Sequence, residues 1–429
     1  MQLPNDHDLR RSLNDEVHAR PPEPLQAPCR ILYVAITVDP SQRAADWGNL
    51  ARYCTERKVA PPLETSNHFT GDFGGYRLKW ERHTEFSRYT IIEPADDRPP
   101  FSPLSNLGAV QPLLDGLAGK TLIATQAEIA PGDAAPANGE EISNIYFGGR
   151  PIIGSSISGG AAKGLTDFRI GDDGLSRVLI LDHGLQPRQA GRVLQRILEI
   201  DTYRMMALLT LPIANGLRPF LATRETELAS ITSTMTAGGL AEEQSLLERL
   251  TSLEAAIESR LAENHARFSA SDAYWGLVQQ RISELKEEKL PGLQTFQEFM
   301  ERRLQPAMST CQSTAARMET LSERVSRSSQ LLSTRVAIER ERQNQSLLEA
   351  LAHRAELQLR LQQTVEGLSV AAITYYIVGL IGYLAKGLKT QLGGIEPELT
   401  MAISIPLVAL AVAFGLHSVR KKLHTPEKG

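Results

Sequence analysis

The sequence predicts an α+β domain, then a long helical or coiled-coil stalk, then a two-helix transmembrane hairpin. Three observations carry this. Runs of β-branched residues and hairpin turns are confined to residues 1–185. Residues 186–366 are rich in Glu, Arg, Gln, Leu, Ala and Ser and follow a helical period. Two charge-free apolar segments lie within 367–420, followed by a basic tail, 421–429. The chain averages hide this segregation: 429 residues, 46 basic and 50 acidic side chains, net charge −4 and 42% hydrophobic composition. Those averages exclude a collagen, a disulfide scaffold and a wholly disordered chain. They also offer no electrostatic basis for binding nucleic acid.

The first thirty residues are polar and Pro-rich, with no apolar core of a secretory signal. Cys29, Cys54 and Cys311 are an odd number without CxxC spacing, which fits structural thiols in a reducing compartment. Ile31–Val38 reads as a buried strand, and Ser41–Glu56 as a helix with Ser41 at its N-cap. Tyr76–Glu81 and Glu85–Ile92 both alternate polar with apolar side chains. Pro131–Gly139 reads as a loop. Gly171-Asp172-Asp173-Gly174 separates Leu165–Ile170 from Leu175–Leu181 and predicts a hairpin. From Arg188 to Gln363 there is almost no β-like run. Pro212, Pro219, Gly238-Gly239, Pro291-Gly292 and Pro306 divide that stretch into several long helices. In the last of them Leu321, Val325, Leu332, Val336, Leu347, Leu351, Leu361 and Val365 share a face, with Arg354 and Gln358 filling its gaps. This is the pattern of a coiled-coil stalk with a partly polar seam.

Gly367–Ala385 and Leu399–Val419 contain 19 and 21 residues without a formal charge. Each is long enough to cross a hydrocarbon core of roughly 30 Å. Arg354 and Arg360 precede the first span, and Arg420, Lys421, Lys422 and Lys428 follow the second. The connecting loop has only Lys386 and Lys389, offset by Glu396 and Glu398. Positive charge therefore places both termini in the cytoplasm.

Enzyme motifs are weak. Gly154-Ser155-Ser156-Ile157-Ser158-Gly159-Gly160-Ala161-Ala162-Lys163 resembles a phosphate loop, but Lys163 comes too late and Gly164 follows it, so strand-and-turn glycines explain it better. Asp182-His183 has no accompanying nucleophile or metal motif. Asp15, Glu16, His18 and Arg20 form the densest polar constellation, a candidate ligand or ion sensor beside the plainer reading of a capped helix end entering a Pro-rich turn. Gly71–Gly75 reads as a turn, and Trp80 and Trp275 as packing residues. No catalysis, no cofactor and no assigned metal is expected.

In the first span Leu368, Ala372, Tyr375, Gly379, Gly382, Lys386 and Lys389 advance by alternating four and three, forming one stripe of small and polar groups. Such a stripe serves as a helix-packing seam or, around an axis of several copies, as a pore lining.

Two resemblances follow. Leu13-Asn14-Asp15-Glu16-Val17-His18-Ala19-Arg20-Pro21, Leu198-Glu199-Ile200-Asp201-Thr202-Tyr203-Arg204-Met205-Met206 and Leu359–Val370 resemble a bacterial family of membrane-anchored proteins of unknown function. The layout of stalk, span, short loop, span and basic tail resembles the CorA-type magnesium channels. Gly387-Leu388-Lys389 stands where that family has Gly-Met-Asn, and Glu396-Pro397-Glu398-Leu399 resembles its loop motif. The resemblance implies a homo-oligomer, with a pentamer favoured, and a pore lined or gated by Tyr375, Gly379, Gly382, Lys386, Gly387 and Lys389. Glu396, Pro397, Glu398 and Leu399 would form its mouth. Lysines at that mouth repel Mg²⁺: at an effective dielectric of about 20, unit charges about 8 Å apart interact by roughly 2 kcal/mol. The expected function is therefore an ion channel or transporter of CorA-like architecture, with the permeant ion open and lipids as its surroundings. The alternative is a membrane-anchored scaffold that presents its α/β domain and coiled coil to partners.

Overall fold

Cys29–Thr37, dominated by β-branched and aromatic residues, forms strand β1, and eight of its nine residues are buried. This computed structural model describes residues 6–11, 13–14, 21–134, 136, 138–237, 243–388 and 396–423. Strands β2 (His68–Asp72), β3 (Arg77–Arg82), β4 (Phe86–Pro94), β5 (Lys120–Pro131), β6 (Ile153–Ile157), β7 (Ala162–Thr166), β8 (Ser176–Asp182) and β9 (Glu288–Lys289) complete one sheet. Its order is β2-β3-β4-β1-β5-β8-β7-β6-β9. All neighbours run antiparallel except the parallel pair β5 and β8.

Side chains alternate across a strand, so β1 splits its residues between two faces. Leu32, Val34 and Ile36 meet Leu50 and Tyr53 of helix α1 (Arg43–Glu56) and Val110 and Leu113 of α2 (Leu107–Asp115). Further along the same face, Leu179 and Leu181 pack with Ile142 and Phe147 of α3 (Gly139–Phe147). The opposite face carries Tyr33 and is covered by α4 (Pro187–Leu208), whose Thr202 hydroxyl bonds the Tyr33 hydroxyl at 2.8 Å. Helices therefore cover both faces of the sheet.

The remaining helices are α5 (Leu211–Ala237), α6 (Glu243–Leu285), α7 (Phe296–Arg303), α8 (Gln305–Leu388) and α9 (Pro397–Leu423). α6 lies along α4, where Ser271 Oγ donates to the Ala207 carbonyl at 2.9 Å. The start of α8 joins α5 and α6 through Arg317 to Glu225 at 2.8 Å and Gln312 to Asp272 at 2.6 Å. The chain divides into two compact units, Met1–Ser329 and Gln330–Gly429. The composition change at residue 185 falls inside the first unit, between β8 and α4.

Local expectations hold where backbone chemistry is explicit. The Gly154–Lys163 stretch is the β6–β7 hairpin, with Gly159 and Gly160 at φ 68° and 88° in its turn. Gly171–Gly174 makes the tight turn before β8, and the Gly174 amide donates to the Gly171 carbonyl at 2.9 Å. Strand β7 ends at Thr166 rather than reaching Ile170. The Thr166 hydroxyl and the Asp167 carboxylate accept from the Phe168 and Arg169 amides at 3.1 Å each and turn the chain out of the ladder. Ser41 does not cap α1. Pro40 starts a 3-10 turn over Pro40–Gln42, so Ser41 is already inside a helix and Gln42 takes the cap position. Within the helical stretch, β9 pairs with β6, Ser155 opposite Lys289. Two residues paired at a sheet edge leave no pattern in composition.

Three helical stretches, rather than two, are long and apolar enough to cross a membrane: Pro187–Thr236, Gln305–Leu388 and Pro397–Ser418. The additional one runs through α4 and α5. Its apolar window is 33% buried, against 17% and 0% for the others. Within this stretch Met206 and Ala207 of α4 and Ala214, Leu217 and Leu221 of α5 are buried in the first unit, while most of the apolar window is not.

Candidate functional site

In the second unit, α8 and α9 meet through a small-residue contact. A Cβ on Gly382 would approach Met401 Sδ to 2.5 Å, so only hydrogen fits there without displacement. Thr374 and Val378, eight and four residues earlier, lie on the same helical face and are 9% and 6% exposed. The expected polar stripe diverges from this contact. Tyr375 is 77% exposed, Lys386 is exposed, and the Cβ positions of Gly379 and Gly387 have nothing within 4 Å. Gly382 belongs to both stripes. Lys389 lies outside the described residues.

Glu396-Pro397-Glu398-Leu399 begins α9. Pro397 is its first residue, Glu398 adds negative charge to the first turn, and the Leu399 and Thr400 amides donate to the Glu396 carbonyl at 3.1 and 3.3 Å. Leu399 and Glu398 are exposed. Asp15, Glu16, His18 and Arg20 lie outside the described residues. Asp182 serves a turn, its Oδ1 accepting from the Gly184 and Leu185 amides at 2.8 and 2.7 Å. Trp80 and Trp275 are buried packing residues. Among the described residues no group of three or more His, Cys, Asp or Glu could hold a metal ion.

The densest polar arrangement lies in the first unit, between the sheet and α4. Lys79 pairs with Glu81 at 3.1 Å, Glu81 with Arg88 at 2.6 Å, and Arg88 with Glu199 at 3.0 Å. Glu199 continues to Arg281 of α6, Arg281 to Glu284 at 2.9 Å, and Glu284 to Arg196 at 3.0 Å. Lys79, Glu81, Arg88 and Glu199 are all buried, and their charges alternate, so each buried ion has a counter-ion. Gln195 donates to Glu199 at 2.8 Å, and Lys79 also donates to the Pro21 carbonyl at 2.8 Å.

Burial opposes ionisation of Glu81. The adjacent Arg88 charge and its hydrogen bonds, with Lys79, outweigh burial and hold the carboxyl at about 2. Glu199 is likewise lowered: burial raises it, and Arg88, Gln195 and Arg281 overcome that. For Arg88, burial pulls downward and the Glu81 charge pushes well above the ordinary value.

Residues 21–26 cross the end of this network. Glu23 accepts from Thr70 at 3.0 Å and pairs with Arg77 at 3.2 Å. Its carbonyl lies 1.8 Å from where a Cβ on Gly191 would stand, so α4 can approach this segment only through a glycine. The space left between Glu23, Tyr33, Lys79, Arg88 and Gln195 is about 30 Å³. That is the size of a water molecule rather than a substrate. The paired charges of this network thus satisfy one another, with little open space beside them. Two wider clefts are a 370 Å³ groove between α6 and α8 beside Trp275 and Cys311, and a 590 Å³ one beside residues 24–29 and Arg77.

Sequence reading missed this network because Lys79, Glu81, Arg88 and Thr90 look like the wet side of alternating strands. A signal existed on the other element: Glu199 and Asp201 interrupt the apolar face of α4 and are both buried.

Fold and site define a two-part chain, a helix-covered sheet domain with internally neutralised charge and a long helix paired with an apolar one. It belongs to the family described as protein of unknown function (DUF3422), whose model matches residues 5–423. No curated protein and no solved structure matches it.

Proposed function

We propose that several copies of this chain form an ion channel or transporter in a bacterial inner membrane, with α8 and α9 as the two spans and both termini cytoplasmic. One observation carries the reading. Met401 of α9 packs on Gly382, and Thr374 and Val378 of that same face of α8 are buried, whereas Tyr375 and Lys386 of the neighbouring face are exposed. The two faces are about a quarter-turn apart on a helix of 3.6 residues per turn. Polar groups at membrane depth are stable facing a bundle interior or water, so the uncovered stripe suits an axis shared by several copies, a pentamer being favoured. Lys386 and Lys389 would ring its outer mouth and oppose Mg²⁺. The sheet domain would sense a ligand and move α8.

Ion flux into liposomes containing the purified full-length protein tests this. Flux is expected, and Lys389→Asn should raise cation conductance. A monomer or dimer by mass that passes no ion at any pH overturns the reading. That outcome would favour the scaffold alternative, which the exposed Leu347, Leu351 and Leu361 of α8 also suit.

A further inference from the structure

We infer that α8 joins this chain to further copies of itself, parallel and in register, through one face running from Leu347 to Lys386. The membrane reading above enters only in fixing the parallel direction, because every copy carries its apolar helices at the same end.

Register is the first observation. From Leu347 the positions advance by alternating four and three without a break, through Leu351, Leu361, Val365 and Leu368, then through Tyr375, Gly379 and Gly382 to Lys386. That is the 3.5-residue repeat of a left-handed supercoil. The aqueous seam and the small-residue stripe are therefore one face, not two.

Coverage is the second. Earlier on the same helix Leu321 and Val325 are 1% and 0% exposed, buried by the chain's own first unit. Further on, Leu347, Leu351 and Leu361 are 62%, 52% and 66% exposed. Burying these leucines removes apolar surface from water, so the uncovered face favours a partner.

Charge distribution identifies that partner. Between Leu347 and Val365 the formal charges Glu349, Glu356 and Arg360 lie on the opposite face, where Arg360 pairs with Glu356 at 2.7 Å. Only Arg354 stands in the seam. The positions flanking the seam are Leu348, Ala355 and Gln362 on one side and Ala350, Leu357 and Thr364 on the other, none of them charged. In a two-stranded coil those flanks usually carry paired charges in water. Here a dimer would leave Leu348 and Leu357, now 64% and 52% exposed, uncovered and would press two Arg354 side chains together. A closed ring gives each helix a neighbour on both sides, covers both flanks and lets Arg354 point to a hydrated axis.

Ala350→Cys/Ala355→Cys in the full-length protein, treated in membranes with a short bismaleimide, tests the interface. The proposal expects a covalent ladder extending beyond dimer, because each copy joins one neighbour through each flank. Glu349→Cys/Glu356→Cys, on the opposite face, should stay monomeric. The unaltered protein should too, since its three thiols are buried. No ladder, a ladder ending at dimer, or equal cross-linking from the opposite face overturns it. Leu351→Glu/Leu361→Glu should reduce the detergent-solubilised mass to that of one chain, and an unchanged mass also overturns it. A ladder without ion flux would remove the channel reading alone; flux without a ladder would remove this interface alone.

Discussion

Arg88 of β4 reaches out from the sheet and binds Glu199 of α4 at 3.0 Å, with side chains only 3% and 4% exposed. The same guanidinium holds Glu81 on the neighbouring strand through two further hydrogen bonds of 2.6 and 3.0 Å. One cation thus neutralises two buried carboxylates from different layers.

Arg88→Met should therefore destabilise the protein strongly. It keeps most of the volume but leaves Glu81 with only Lys79 and Glu199 with only Arg281. Losing one member of a buried ion pair typically costs about 3–5 kcal/mol. Denaturant unfolding in detergent should show a midpoint well below that of the unaltered protein. A loss under about 1 kcal/mol, the range of surface pairs, would show the network to be hydrated.

Acid should unfold the first unit by the same route. Glu81 titrates at about 2 in the folded chain, below its ordinary 4.5. A depressed carboxyl contributes stability above its unfolded value, and the contribution is lost as pH falls through the folded value. Glu199 shifts in the same direction. Thermal stability is expected to decline from about pH 5 down to about pH 2. In Glu81→Gln that decline should be shallower; an identical slope would remove Glu81 from it.

Gly191→Ala should displace residues 21–26. The added Cβ would stand 1.8 Å from the Glu23 carbonyl oxygen, and a backbone atom cannot step aside as a side chain does. We expect a loss of about 1–3 kcal/mol and faster proteolysis near Pro21. Normal stability with unchanged cleavage would show that the segment shifts freely.

Gly382→Ile and Gly379→Ala should separate the two faces of α8. A branched side chain at 382 meets Met401, so the contact with α9 should loosen and the detergent melting temperature should fall. A methyl at 379 meets nothing within 4 Å in a single chain, so it should leave the contact between α8 and α9 intact. Equal effects at both sites would remove the distinction.

Much of this protein was determined by the sequence alone. β1, the glycine turns before β7 and β8, the long helices and the apolar C-terminal pair are legible because backbone conformation and hydrophobic period act over a few residues. The exposed stripe of α8 is equally a matter of local spacing. Tertiary structure decided the rest. Lys79, Glu81, Arg88 and Glu199 are ordinary surface types in sequence, and only α4 lying over that face removes them from water. Whether a polar residue faces water or an apolar one faces lipid depends on what covers it, and cover comes from segments far away in the chain: Arg88 and Glu199 are 111 residues apart.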